Sequence, residues 1–196
     1  MTSLAEKVVE AEKISEALEG ILSKKDEVRS NYYRVLLHIS EENPEILYSK
    51  YDYLANLLDA DNQYHRYISI NLLANLALVD VKNKFEVVFE KYFSNLDGDR
   101  TMAAGQAAVN AGKIAKAKPN LQTKITKRLL NIEKTHKGKQ IDLIKAYIIE
   151  AFNEYFVASS DKNEILDFVS EQLESKSPKT RKLAKEFLKV NNAKIK

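Results

Sequence analysis

The chain contains no cysteine and no tryptophan. Without thiols there is no disulfide, no thiolate zinc or iron–sulfur site and no cysteine nucleophile. The absence fits a reducing, cytoplasmic setting. Proline and glycine are nearly as scarce, three and five in 196 residues. These residues supply most tight turns and sheet corners, so their scarcity argues against an all-β sandwich or barrel. No run approaches the roughly 20 apolar residues that a membrane-spanning helix needs, so no membrane partner is expected. The N-terminal stretch MTSLAEKVVEAEKISEALEG carries acids throughout and lacks the apolar centre of a secretory leader.

What the chain does have is apolar residues at helical spacing. Leu4, Val8, Ala11, Ile14, Leu18 and Ile21 share one face, so a first helix is expected over 3–22, opened by a Ser3/Glu6 capping box. Helix pairs follow at about 26–59, 61–96, 99–134 and 138–175, and a last helix at 178–190. Within the first pair Asp26 is expected to cap a helix that runs from Glu27 to about Ser40. Asn43-Pro44 breaks it, because the residue before proline leaves the helical region and Pro44 suits a first turn. A second helix is then expected to continue to about Asp59. Phe85, Val88, Phe89, Tyr92 and Phe93 mark the inner face of one later helix, and Ile165, Leu166, Val169 and Leu173 that of another. No stretch alternates with period two, so no strand is expected and the fold class is all-α.

The pairs recur. Their openings at Asp26, Asp61, Asp97 and about Gly138 lie 35, 36 and 41 residues apart, the signature of a helical repeat array. Each of Asp26-Glu27-Val28-Arg29, Asp61 with Arg66, Asp97 with Arg100 and Ser177-Pro178 with Arg181 sets a capping residue before a basic one. Asp26-Glu27-Val28-Arg29 with Pro44, and Pro119 in the third pair, resemble the HEAT/armadillo repeat family. The resemblance implies a right-handed α-α superhelix of about four helix pairs plus terminal capping helices, spanning 1–196 as a single domain. The second helix of each pair would line its concave surface, where partners bind.

Catalytic chemistry finds no foothold. His38, His65 and His136 have no companions at metal-ligand spacing and read as surface or boundary histidines, so no metal site and no cofactor is expected. The acids lie on polar helix faces rather than as paired carboxylates on apolar ground. No glycine pattern builds a phosphate cradle or a nucleophile elbow. Some HEAT-like proteins are DNA glycosylases that use tryptophan, which is absent here. No enzyme activity is expected.

Charge is uneven although the net is only +3. Residues 1–98 hold 11 basic and 17 acidic side chains, residues 99–196 hold 20 and 11. Lys124, Lys127 and Arg128 are three and four apart and share one face. With Lys91 of the preceding pair they form the candidate partner-binding set. The expected function is a non-catalytic scaffold binding a protein or peptide, possibly acidic. The alternative is a nucleic-acid binder using the same cations on phosphates, although interleaved aromatics are missing there. Head-to-tail self-association of acidic and basic halves is a third reading. The small-residue run from Met102 to Ala117 reads as a closely packed helix or, alternatively, as a groove left open for a partner.

Overall fold

A computed structural model of the chain describes residues 4–191, with side chains from residue 12 onward. The fold is all-α, 82% helix with twelve helices and no strand among the described residues. None of these helices is long and apolar enough to cross a membrane. The chain divides into two compact units, 1–84 and 85–196.

The first unit holds α1 (Leu4–Gly20), α2 (Asp26–Glu42), α3 (Pro44–Tyr48), α4 (Tyr51–Asn56) and α5 (Gln63–Leu76). Helix α2 packs on α1, α3 and α5. Ile14, Leu18, Ile21, Leu36, Leu47, Leu54 and Leu72 fill the core. The Ser3/Glu6 capping box lies outside the described side chains. The single helix expected over 44–59 is instead interrupted at Ser49-Lys50, then ends in a short 3₁₀ turn over Leu57–Asp59. Asp26 does not cap α2; its carboxylate turns to Arg29 at 2.5 Å. In the next repeat the cap is Asn62, whose Oδ1 accepts from the Tyr64 amide at 2.9 Å.

The second unit holds α6 (Lys84–Phe93, whose first residue belongs to the first unit), α7 (Thr101–Ala117), α8 (Gln122–Leu130), α9 (Ile132–Thr135), α10 (Ile141–Tyr155), α11 (Lys162–Glu171) and α12 (Pro178–Asn191). Phe85, Phe89, Tyr92 and Phe93 are all 0–1% exposed and their rings meet edge-on or tilted at 4.6–6.5 Å. The small-residue helix settles as packing. Ala103, Ala104, Ala107, Ala108, Ala111 and Ala115 are at most 2% exposed, and α7 lies against α10. The approach is so close that a Cβ at Gly112 would stand 2.8 Å from the Ala151 carbonyl oxygen.

One device recurs through both units. At three of the repeat openings the arginine folds back onto carbonyls of the linker that leads into the helix. Arg29 Nη1 donates to Ser23 O at 3.1 Å, Arg66 donates to Ala60 O and Asp59 O, and Arg181 Nη1 donates to Ser175 O at 2.6 Å. The linker leaves a 3₁₀ turn before Arg66 and Arg181, so its last carbonyls lack helical partners and the guanidinium satisfies them.

A single isolated bridge pairs Gly98 with His136. Gly98 adopts φ +75°, a conformation open to glycine without strain. The His136 ring is buried rather than at the surface, 4% exposed, with Nδ1 3.0 Å from Leu96 O.

Candidate interaction surfaces

The expected contact set lies on α6 and α8, and most of it is engaged within the chain. Lys124 Nζ sits 2.8 Å from Glu90 and 4.0 Å from the centre of the Phe89 ring, so α6 offers it both a carboxylate and an aromatic face. Arg128 Nη2 reaches Asp97 at 3.0 Å and Phe93 O at 2.8 Å. Lys91 is half-buried on α6, and its carbonyl accepts from the Ser94 hydroxyl at 2.8 Å and the Asn95 amide at 3.2 Å. Lys127 is exposed and forms no ion pair among the described residues.

The pairing follows the repeat length. Lys84 meets Asp52 at 2.7 Å, Lys118 meets Glu86 at 3.0 Å, and Lys124 and Arg128 meet acids 34 and 31 residues earlier. Ser175 and Thr180 hydrogen-bond to Asp142 across 33 and 38 residues. Charges read as a free face in the sequence thus join one helix pair to the next. Lys118–Glu86 is the most sheltered of these ion pairs, its side chains 6% and 27% exposed. Burial works to raise the Glu86 carboxyl, but hydrogen bonds from Lys118 and Asn120 outweigh it and hold the group below its ordinary value.

After Lys127 the chain presents Lys134, Lys137 and Lys139, all exposed and none in an ion pair among the described residues. Glu133, the acid within this stretch, is taken by Lys145. The cations available to a partner therefore run from the end of α8 through α9 into the following loop.

The first unit carries a site that sequence reading missed. Between α2 and α5 lies a cleft of about 300 Å³ lined by Asp26, Arg29, Tyr33, Tyr64, Tyr67 and Ile68. The Tyr33 and Tyr67 rings meet edge-on, 5.8 Å between centres. Burial, together with the nearby Tyr67 and Glu41, pushes the Tyr33 hydroxyl well above its usual range, so it stays neutral. Arg29 stacks 4.2 Å from the centre of the Tyr64 ring. His65 is held below the usual histidine value by burial and by the Arg29 charge, which keeps the imidazole neutral near pH 7. The signal in the sequence was Tyr64 and Tyr67 at i, i+3 and Tyr33 at the matching point of the previous repeat.

A second polar cluster in this unit is structural. Tyr48 donates to Asp80 at 2.6 Å, and the same carboxylate oxygen accepts from the Lys84 amide at 2.8 Å, closing the first turn of α6. Burial and the Asp80 bond push the Tyr48 hydroxyl up to about 12. Among the described residues no three His, Asp or Glu side chains gather as a metal site.

No protein-family model and no curated protein matches the chain. The fold is similar to that of a crystal structure of an engineered protein, with a TM-score of 0.60 at 18% identity over 89% of this chain and 79% of that one. At this identity the likeness concerns the fold alone.

Proposed function

We propose that this chain is a non-catalytic, cytoplasmic scaffold of the HEAT/armadillo kind, a right-handed superhelix of helix pairs that holds an acidic protein or peptide segment on the basic stretch of its second unit. The observation that carries the reading is the exposure of Lys127, Lys134, Lys137 and Lys139 without an ion pair among the described residues, while Lys118, Lys124, Arg128 and Lys145 are all paired. Like charges left side by side repel one another, and an anionic partner relieves that repulsion and speeds encounter. The repeat reading is supported by side-chain bonds spaced by about one repeat within each unit and by the recurrent arginine fold-back. No cofactor is needed for such a role.

Fluorescence anisotropy with a labelled glutamate-rich peptide tests the reading. Binding is expected at low salt and lost in a Lys127→Glu, Lys134→Glu variant, with Lys124 and Arg128 left in place to preserve their pairs. Equal binding by the variant overturns the assignment. Tighter binding of a labelled single-stranded oligonucleotide than of the peptide, with a steep salt dependence, would assign the same lysines to phosphates instead. An elution volume that varies with concentration would point to self-association.

A further inference from the structure

We infer that the tyrosine-lined cleft of the first unit is a separate binding site, and that it takes an arginine side chain presented by a peptide or protein partner. Its walls are the rings of Tyr33, Tyr64 and Tyr67, and its rim carries the Asp26 carboxylate, 82% exposed. Aromatic faces beside an open carboxylate form the environment that stabilises a guanidinium, which stacks on rings and donates to carboxylate oxygen together. At about 300 Å³ the cleft lies at the small end of ligand pockets and suits one long side chain.

The protein already uses this chemistry at the same place. Arg29 stacks on Tyr64, donates through Nη2 to Asp26 Oδ1 and through Nη1 to Ser23 O. These bonds hold Arg29 against its own wall and leave Asp26 Oδ2 for a second guanidinium. Asp26 balances Arg29, and Glu41 lies near enough to act on Tyr33. Arg66 is turned to the linker carbonyls, and His65 adds no charge near pH 7. The first unit as a whole holds 14 acidic against 10 basic residues.

The test is NMR of the full chain labelled at tyrosine, titrated with a pentapeptide carrying one arginine between glycines and, separately, with its alanine and glutamate counterparts. The arginine peptide is expected to shift the Tyr33, Tyr64 and Tyr67 resonances at sub-millimolar to millimolar concentration, on the order of −4 kcal/mol, and the other two peptides to leave them unmoved. Asp26→Asn should weaken binding roughly tenfold, as for one lost charge-assisted hydrogen bond, and Tyr64→Leu should do so through the lost ring. Glu27→Gln, an exposed acid beside the site, should leave affinity unchanged. Circular dichroism of each variant separates loss of binding from loss of fold. Absence of shifts with the arginine peptide, equal shifts with the glutamate peptide, or undiminished affinity in a folded Asp26→Asn variant overturns the assignment.

Discussion

Replacing Gly112 by alanine sets two effects of known sign against each other. Within a helix the change should stabilise by about 1 kcal/mol, since glycine is the poorer helix former. Against this, the new Cβ would stand 2.8 Å from Ala151 O and 2.9 Å from Ala151 Cα, well inside the ~3.5–4.0 Å of an unstrained contact. Both atoms are backbone of α10 and cannot turn aside, so the two helices must separate. Overpacking of this kind costs about 1–3 kcal/mol, and a contact with backbone belongs at the upper end. The net expectation is a destabilisation of about 1–2 kcal/mol, or roughly 2–8 °C in Tm for a chain of this size. Gly105→Ala is the matched control. There the new Cβ meets only the Tyr147 ring edge at 3.0 Å, and a side chain can rotate away, so that variant should be neutral or slightly stabilised. Urea unfolding followed by far-UV circular dichroism measures both. If Gly112→Ala is as stable as the wild type, or if Gly105→Ala loses as much, the close approach of α7 to α10 is not what limits residue size there.

Other perturbations separate buried charge from surface charge. Glu86→Gln removes the carboxylate charge 3.0 Å from the nearly buried Lys118 ammonium and should cost about 2–3 kcal/mol by urea unfolding, below the full penalty because Glu86 is partly exposed. Since the Glu86 carboxyl sits below its ordinary value of 4.5 when folded, its contribution is complete above that pH and is lost as pH falls through the lower folded value. The gap between wild type and Glu86→Gln should therefore narrow on acidification. His65 is also shifted down, from 6.5. The folded state resists its protonation, so stability should decline as pH falls below that value, and a His65→Gln variant should show a flatter urea midpoint through this window. Thr126→Val removes the hydroxyl 2.9 Å from the buried Tyr155 hydroxyl, and the orphaned phenol should cost about 1–3 kcal/mol in the same assay.

The helical class was legible because apolar residues recur at three and four along each helix, and because Pro44, Pro119 and Pro178 each open a helix or 3₁₀ turn. Helix interiors follow from such local rules. The break at Ser49-Lys50 does not, since neither residue is a helix stopper. The capping role read into Asp26 failed because an aspartate has a competing choice, an arginine three residues on. The candidate cations show the same limit at longer range. Spacing placed Lys124 and Arg128 on one face, but nothing local reveals that Glu90 of the preceding pair and Asp97 at the junction come to meet them. The tyrosine cleft was missed for the same reason, since its rings come from two helices that only the fold brings together.

The one-repeat spacing of the ion pairs makes the helix pairs non-interchangeable. Each carries acids addressed to the cations of its successor: Asp52 to Lys84, Glu86 to Lys118, Glu90 to Lys124. Excising the residues from Asp97 to Gly138 would keep every remaining hydrophobic stripe intact yet strip Glu86 and Glu90 of their correspondents. Copying one pair in tandem would present the same address twice. The order of the helix pairs thus reads like a sentence, held by side-chain agreement between neighbours as well as by the burial of their apolar faces.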